Sequence, residues 1–265
     1  MTITRLSGGL GNQIFQLAAT LLLAKKMNLD KIILDDTHLA SYNVKRENEL
    51  VHFFNLEEIK FEKSFILKFR LPIKFAFKIK YCPFIGDKNF QNINNSSKLN
   101  IFLLDGYFQE SLTQEDFDEE IKLLKLILKE KESDIKQGCV IHIRGGDFIK
   151  LGWNCVTPKE YYIEAIKKMK IDFNQHIFYI VTDDRGYSKT LLDDLDIEYN
   201  FIGSSMYEDF NLIGRFSYRI LSSSTFCLWA SALGRNENSK VIAPNCWIPK
   251  HERNIFLPNE IRIKI

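Results

Sequence analysis

"TITRLSGGLGNQIFQLAATLLLAKKMNLDKIILDD", Thr2–Asp36, decides the fold. A short β-branched and apolar run, 2–6, meets a glycine-rich turn. Apolar residues at helical spacing then run from about 12 to 27, and a second strand-like run, "KIILDD", occupies 31–36. Strand, tight turn, helix and strand in this order form a βαβ unit. Outward from it, the pattern repeats most plainly in the second half of the chain. Strands are expected at 139–144, 176–182, 198–202, 218–222 and 240–243. Helices are expected between them, near 158–170, 186–195, 207–215 and 225–233. Strands alternating with helices predict an α/β protein whose parallel sheets are covered on both faces.

The intervening residues read less simply. "NIFLLDGYFQ", 100–109, predicts a strand and turn, and a charged helix is expected over about 113–133. Between Phe61 and Phe84 the odd positions from Phe69 to Tyr81 are all apolar, and seven basic residues stand between Lys60 and Tyr81 against one Glu. Alternation argues for a strand, while Pro72 and the lysines suit an interfacial surface. The main boundary is expected near 134–138. It gives an N-terminal α/β domain, 1–136, and a C-terminal Rossmann-like domain, 137–265, with a cleft between them.

Composition excludes several classes. The chain has 265 residues, 45% hydrophobic and 26% charged, with a net charge of +2, so nothing in its charge points to nucleic acid. No apolar run approaches the ~20 residues of a membrane span, and the opening residues do not read as a secretory signal. Five cysteines form no C-x-x-C pair and no zinc-type spacing. Their odd number predicts reduced thiols and a cytoplasmic location.

Four loops at expected strand ends carry candidate chemistry. In "SGGLGNQ", Gly9 and Gly11 would let backbone N–H groups approach an anion at a helix N-terminus, with the amide of Asn12 beside them. The pattern is neither a dinucleotide fingerprint nor a P-loop, and a plain strand-to-helix turn explains the glycines equally well. In "HIRGGDF", His142 and Arg144 share parity at the end of a strand, where open α/β sheets bind ligands. A guanidinium suits phosphate, although an ion pair with Asp147 would also pin the turn. In "YIVTDD", Thr182 and the adjacent carboxylates of Asp183 and Asp184 are placed to hold a metal or ribose hydroxyls, or to cap the next helix. In "LSSSTF", Ser223, Ser224 and Thr225 precede an apolar helix and suit either capping or phosphate. Together the four loops point to an anionic, nucleotide-bearing ligand.

The motifs "GGLGNQIFQLAAT", "HIRGGDF", "VTDD" and "SSSTFCLWASAL", in that order, resemble glycosyltransferase family 11, whose best-known members are the α-1,2-fucosyltransferases. "DGYFQES" and "VIAPNCWIP" resemble it as well, and the likeness spans residues 7 to 249. The resemblance implies a GT-B-type fold, with two Rossmann-like lobes, and GDP-fucose as donor. It also implies inversion at the anomeric carbon, with no cofactor and no metal required. It assigns the donor diphosphate to Arg144, the nucleotide's flank to His142, a diphosphate-binding turn to Ser224 and Thr225, and guanine to Asp209, sixteen residues before Thr225. Three positions depart from the family pattern. Gly145 replaces the second arginine of H-x-R-R-G-D, Ser223 replaces an asparagine, and Leu228 replaces the first of two tryptophans. One cation fewer suggests another GDP-deoxysugar donor, a weakened enzyme, or a substitute cation from Arg5, Arg215 or Arg219.

In the chemistry thus implied, an acceptor hydroxyl attacks an oxocarbenium-like centre while Arg144 and the amides after Ser224 stabilise the leaving diphosphate. Asp147 is the candidate base, with Glu110 behind it, and Asn12 would orient sugar or acceptor. The expected partners are a GDP-sugar and a galactose-containing or lipid-linked glycan of O-antigen, capsule or lipopolysaccharide assembly. Peripheral contact of Phe61–Phe84 with the inner membrane is also expected, and no nucleic acid. A glycan-binding protein without catalysis and a two-lobed oxidoreductase are the competing classes. The absent G-x-G-x-x-G argues against the latter.

Overall fold

The computed structural model describes residues 1–41, 46–57, 59–61, 84–93, 101–129, 134, 136–150, 157–234, 238–248 and 251–265. The alternating basic stretch therefore lies outside the described residues over 62–83. The chain divides into two units, Met1–Glu130 and Lys131–Ile265, a few residues before the expected boundary. Among the described residues no helix is long and apolar enough to cross a membrane.

The first unit contains β1 (Thr2–Arg5), α1 (Leu10–Lys26), β2 (Ile32–Asp35), β3 (Lys60–Phe61), β4 (Phe84–Ile85), β5 (Phe102–Leu104) and α2 (Gln114–Ile127). Its sheet runs β3-β2-β1-β5-β4 with every pairing parallel. Parallel strands are covered on both faces, which is why Ile3, Ile33, Leu34 and Phe102–Leu104 are all buried. Thirteen of the 17 residues of α1 are buried, so this helix is enclosed rather than half exposed. Its buried polar groups have partners: Thr20 Oγ1 lies 2.7 Å from Thr4 Oγ1, tying helix to strand. Thr113 caps α2 by accepting from Asp116 N. Phe15 stacks on Phe117, and Lys26 pairs with Asp116 at 2.5 Å, which joins α2 to α1. The helix ends at Ile127, short of the expected 133, because Leu128 is extended and bridges Phe54.

The second unit contains β6 (Lys136–Ile143), α3 (Gly146–Lys150), α4 (Lys159–Phe173), β7 (Ile177–Thr182), α5 (Arg185–Leu192), β8 (Glu198–Phe201), α6 (Met206–Arg215) and β9 (Phe216–Ile220). These are followed by α7 (Thr225–Ala232), β10 (Lys240–Pro244), β11 (Cys246–Ile248), β12 (His251–Glu252) and β13 (Glu260–Ile263). The main sheet has the order β13-β10-β9-β6-β7-β8, all parallel. The chain winds outward from β6 in one direction and from β9 in the other, so the order reverses between those two strands. Ile141, Ile143, Tyr161, Tyr162, Phe178, Ile180, Ile220, Ile242 and Ile263 belong to one core cluster.

Where α6 and α7 cross, Gly214 and Gly234 let the backbones touch: a Cβ at Gly214 would lie 2.9 Å from Ala230 O. Arg219 is buried beside them. Its donors go to the carbonyls of Phe216, Gly214 and Ser231 and to Ser231 Oγ, at 2.7–2.9 Å. Arg219 thus holds the helix crossing and is not a substitute cation for a ligand. Arg5 likewise pairs with Asp105 at 3.0 Å, and Arg215 donates to Asp134 O.

Candidate functional site

The β6/β9 reversal of the second unit carries the expected loops on adjacent strands. His142, next to last in β6, is 4% exposed, and its Nδ1 lies 2.8 Å from Ser222 Oγ in the segment after β9. Burial, then the charge of Arg144, push the imidazole down to about 3, so it is neutral over the physiological range. On the other side Phe226 packs against it, ring centroids 5.8 Å apart, with Phe210 edge-on to Phe226. A neutral histidine here ties the two strand ends together. Tyr161 fastens the next strand end, its hydroxyl lying 2.5 Å from Leu221 O after β9 and 3.1 Å from Ile242 O in β10.

Arg144 is the first residue past β6, with a side chain 26% exposed. Its guanidinium pairs with Asp183 at 2.5 Å and lies over the Phe148 ring, 4.8 Å from the centroid. Asp183 also accepts from Gly145 N at 2.8 Å. Gly146 has a φ of +39°, and a Cβ there would collide with the Asp183 carboxylate, so the loop needs glycine. Among the described side chains, Asp183 pairs with Arg144 and pins this turn. Asp147 belongs to α3, and its side chain lies outside the described part of the structure.

Thr182 is engaged within its own turn, accepting from Asp184 N at 3.0 Å and from Ser188 Oγ at 2.8 Å. Asp184 caps α5 by accepting from Tyr187 N. In the serine run, Ser223 donates from its backbone to Thr157 Oγ1 and from its hydroxyl to Cys246 O. It is buried and supports the turn. Ser224 is the extended N-cap residue of α7, with no side-chain cap hydrogen bond, and Thr225 opens the helix. The first turn of a helix presents N–H groups without intrahelical acceptors and a positive dipole end. Those of α7 stand next in the chain to the serine that meets His142.

Asp209 lies in the first turn of α6, seated against Gly203, whose φ is +81°. Burial, then the neighbouring Glu208 and Asp183, raise its carboxyl to about 6 against the pull of Arg185. In the first unit, Gly9 is the extended N-cap of α1 without a side-chain cap, and Gly11 is buried in the first turn. Gly8, at φ +76°, packs so closely on Asn12 that a Cβ would lie 2.6 Å from its Nδ2. Gln13 and Gln16 are fully buried and wired internally. Gln13 holds Gly8 O, Glu47 O and Glu49 N, and Gln16 holds Ser7 and Gly106 O. The glycine motif thus builds the turn, with Asn12 half buried against Gly8; Glu110 is exposed. Among the described residues no three His, Cys, Asp or Glu side chains are grouped to hold a metal.

Ser222, Tyr161, Tyr187 and Thr157 escaped the sequence reading. Only Ser222 had a signal, as part of the hydroxyl run.

Two α/β units, each with a parallel sheet, have the architecture of the GT-B type. The chain belongs to glycosyl transferase family 11, whose family model matches residues 1–264. It is 27% identical to an alpha-1,2-colitosyltransferase of Escherichia coli, covering 97% of this chain and 96% of that protein. It is 25% identical to the O-antigen biosynthesis glycosyltransferase WbnK of Escherichia coli, over 94% and 95% of the two chains. In fold it is similar to the fucosyltransferase NodZ from Bradyrhizobium, with a TM-score of 0.58, 14% identity and 94% and 96% coverage. It is similar too to POFUT1 in complex with GDP, with a TM-score of 0.53, 10% identity and 91% and 97% coverage. Membership of this family removes the oxidoreductase reading.

Proposed function

We propose that this glycosyltransferase moves a deoxyhexose, L-fucose from GDP-β-L-fucose in the first instance, to a galactoside hydroxyl in α-1,2 linkage during O-antigen assembly. The observation that carries the reading is the β6/β9 join, where His142 meets Ser222 and packs on Phe226 in the first turn of α7, with Arg144 two residues further along the chain. A leaving diphosphate gains negative charge in the transition state, and a guanidinium with helix N–H groups is suited to stabilise it. Asp209 would accept from the guanine edge. Asp147 would take the acceptor proton.

A colitosyl or other GDP-deoxysugar donor is the second reading. Gly145 favours it, standing where the family motif has arginine, and so does the similarity to a colitosyltransferase. A donor panel read by mass spectrometry tests both, using GDP-fucose, other GDP-deoxysugars and UDP-sugars with a galactose-terminated acceptor. Transfer from GDP-fucose supports the first reading, and transfer from another GDP-deoxysugar alone supports the second. Transfer only from UDP-sugars, or GDP binding without turnover of any donor, overturns both.

A further inference from the structure

We propose that Asp183 is the positioning residue of the transfer reaction, acting on the donor through Arg144 rather than touching it. The inference rests on the reading that Arg144 meets the diphosphate.

Asp183 directly follows β7, which pairs with β6 through His142↔Val181 and Ile143↔Thr182. Its two carboxylate oxygens serve two parts of one loop. Oδ2 pairs with Arg144 Nη1 at 2.5 Å, and Oδ1 accepts from Gly145 N at 2.8 Å. Gly146 completes the enclosure, since a side chain there would drive Oδ2 out. The carboxylate's own backbone is fixed by its neighbours: Thr182 accepts from Asp184 N at 3.0 Å, and Asp184 caps α5. Phe148 lies under the face of the guanidinium while Asp183 holds its edge. An arginine restrained at edge and face is already oriented when charge develops on a leaving group, and such donors need no reorganisation in the transition state. A carboxylate with both oxygens engaged by the loop is poorly disposed to hold ribose hydroxyls.

This role separates binding from turnover. Asp183 partly neutralises Arg144, so its removal leaves the site more positive towards an anionic diphosphate while releasing the guanidinium. In Asp183→Asn, GDP affinity measured by calorimetry is expected to stay within about threefold of the parent, or to tighten. The kcat with the parent's GDP-sugar donor is expected to fall by roughly tenfold to a hundredfold, as for a misplaced catalytic group. Gly146→Ala, which keeps every charge, is expected to give the same split. In an Arg144→Ala background, Asp183→Asn is expected to lower kcat no further, because the two act as a unit. Equal loss of GDP affinity and kcat in Asp183→Asn overturns the proposal in favour of direct nucleotide contact or a purely structural role. Additive losses in the double variant overturn it as well. If Arg144→Ala itself leaves GDP affinity unchanged, the underlying reading of Arg144 fails instead, and that result is separate from either Asp183 outcome.

Discussion

Lowering the pH from 7 to 5 isolates the buried imidazole of His142. In the unfolded chain it takes up a proton near its ordinary value of 6.5, whereas in the folded chain it does so only at about 3. Between those values the unfolded state binds more protons, so the stability contributed by neutral His142 is complete above pH 6.5. It is lost progressively as pH falls towards 3. At pH 5 the loss is about 2 kcal/mol, from the interval below 6.5 at about 1.4 kcal/mol per pH unit. That corresponds to a Tm lower by about 4–8 °C. Asp209 has the opposite sign. Its raised carboxyl is protonated first in the folded state, so it adds stability as pH falls towards its unfolded value. The two are separated by His142→Gln, which leaves an amide within reach of Ser222 and no titrating group. Thermal unfolding of parent and variant at pH 7 and pH 5 is the assay. The parent's extra loss on acidification should vanish in the variant. Equal pH slopes in both proteins would refute the reasoning that the β6/β9 join depends on an uncharged imidazole.

Four other outcomes follow from the structure. A Cβ on Gly145 would lie 2.9 Å from the Tyr187 ring and 3.0 Å from Asp184 Cβ, so Gly145→Ala should cost about 1–3 kcal/mol in thermal unfolding. Gly145→Arg combined with Tyr187→Ala should lose less than the sum of the single changes, because the ring occupies the arginine's place. Glu120 is fully buried with neither carboxylate oxygen partnered among the described residues, and burial, then Asp116, hold its carboxyl well above the usual range. Stability from its protonated form falls as pH rises through that raised value, so Glu120→Met should stabilise the protein by about 1–3 kcal/mol, most at alkaline pH in urea unfolding. GDP affinity should weaken about tenfold per pH unit below 6 through Asp209, in addition to the titration of GDP itself. Calorimetry on Asp209→Asn, which retains only the ligand's own titration, measures that difference.

The alternation of strands and helices was legible where a strand carries its own signal. Thr2–Leu6 and "CVIHIR" are apolar runs bounded by glycine, and helical spacing follows each. The last strand was not, since Glu260–Ile263 offers two apolar residues in four and becomes a strand only by pairing with β10. At the site, residue type revealed the phosphate-compatible loops but not who holds whom. His142 and Arg144 share parity, yet one turns into the core toward Ser222 and the other lies past the strand end on Asp183. Proximity in sequence suggested only Asp147 for Arg144; register between β6 and β7 brings Asp183 to it. The same holds for the glycines. Gly145 reads as a missing cation, but its physical cause is the Tyr187 ring forty-two residues on. Long-range pairings of this kind have no local periodicity to betray them.

A crystal structure with GDP bound tests the central claim most directly. The diphosphate should lie within hydrogen-bonding distance of the Arg144 guanidinium and the backbone N–H groups that open α7, with Asp183 still on Arg144. A diphosphate bound elsewhere, with Arg144 engaging only protein, would contradict the account.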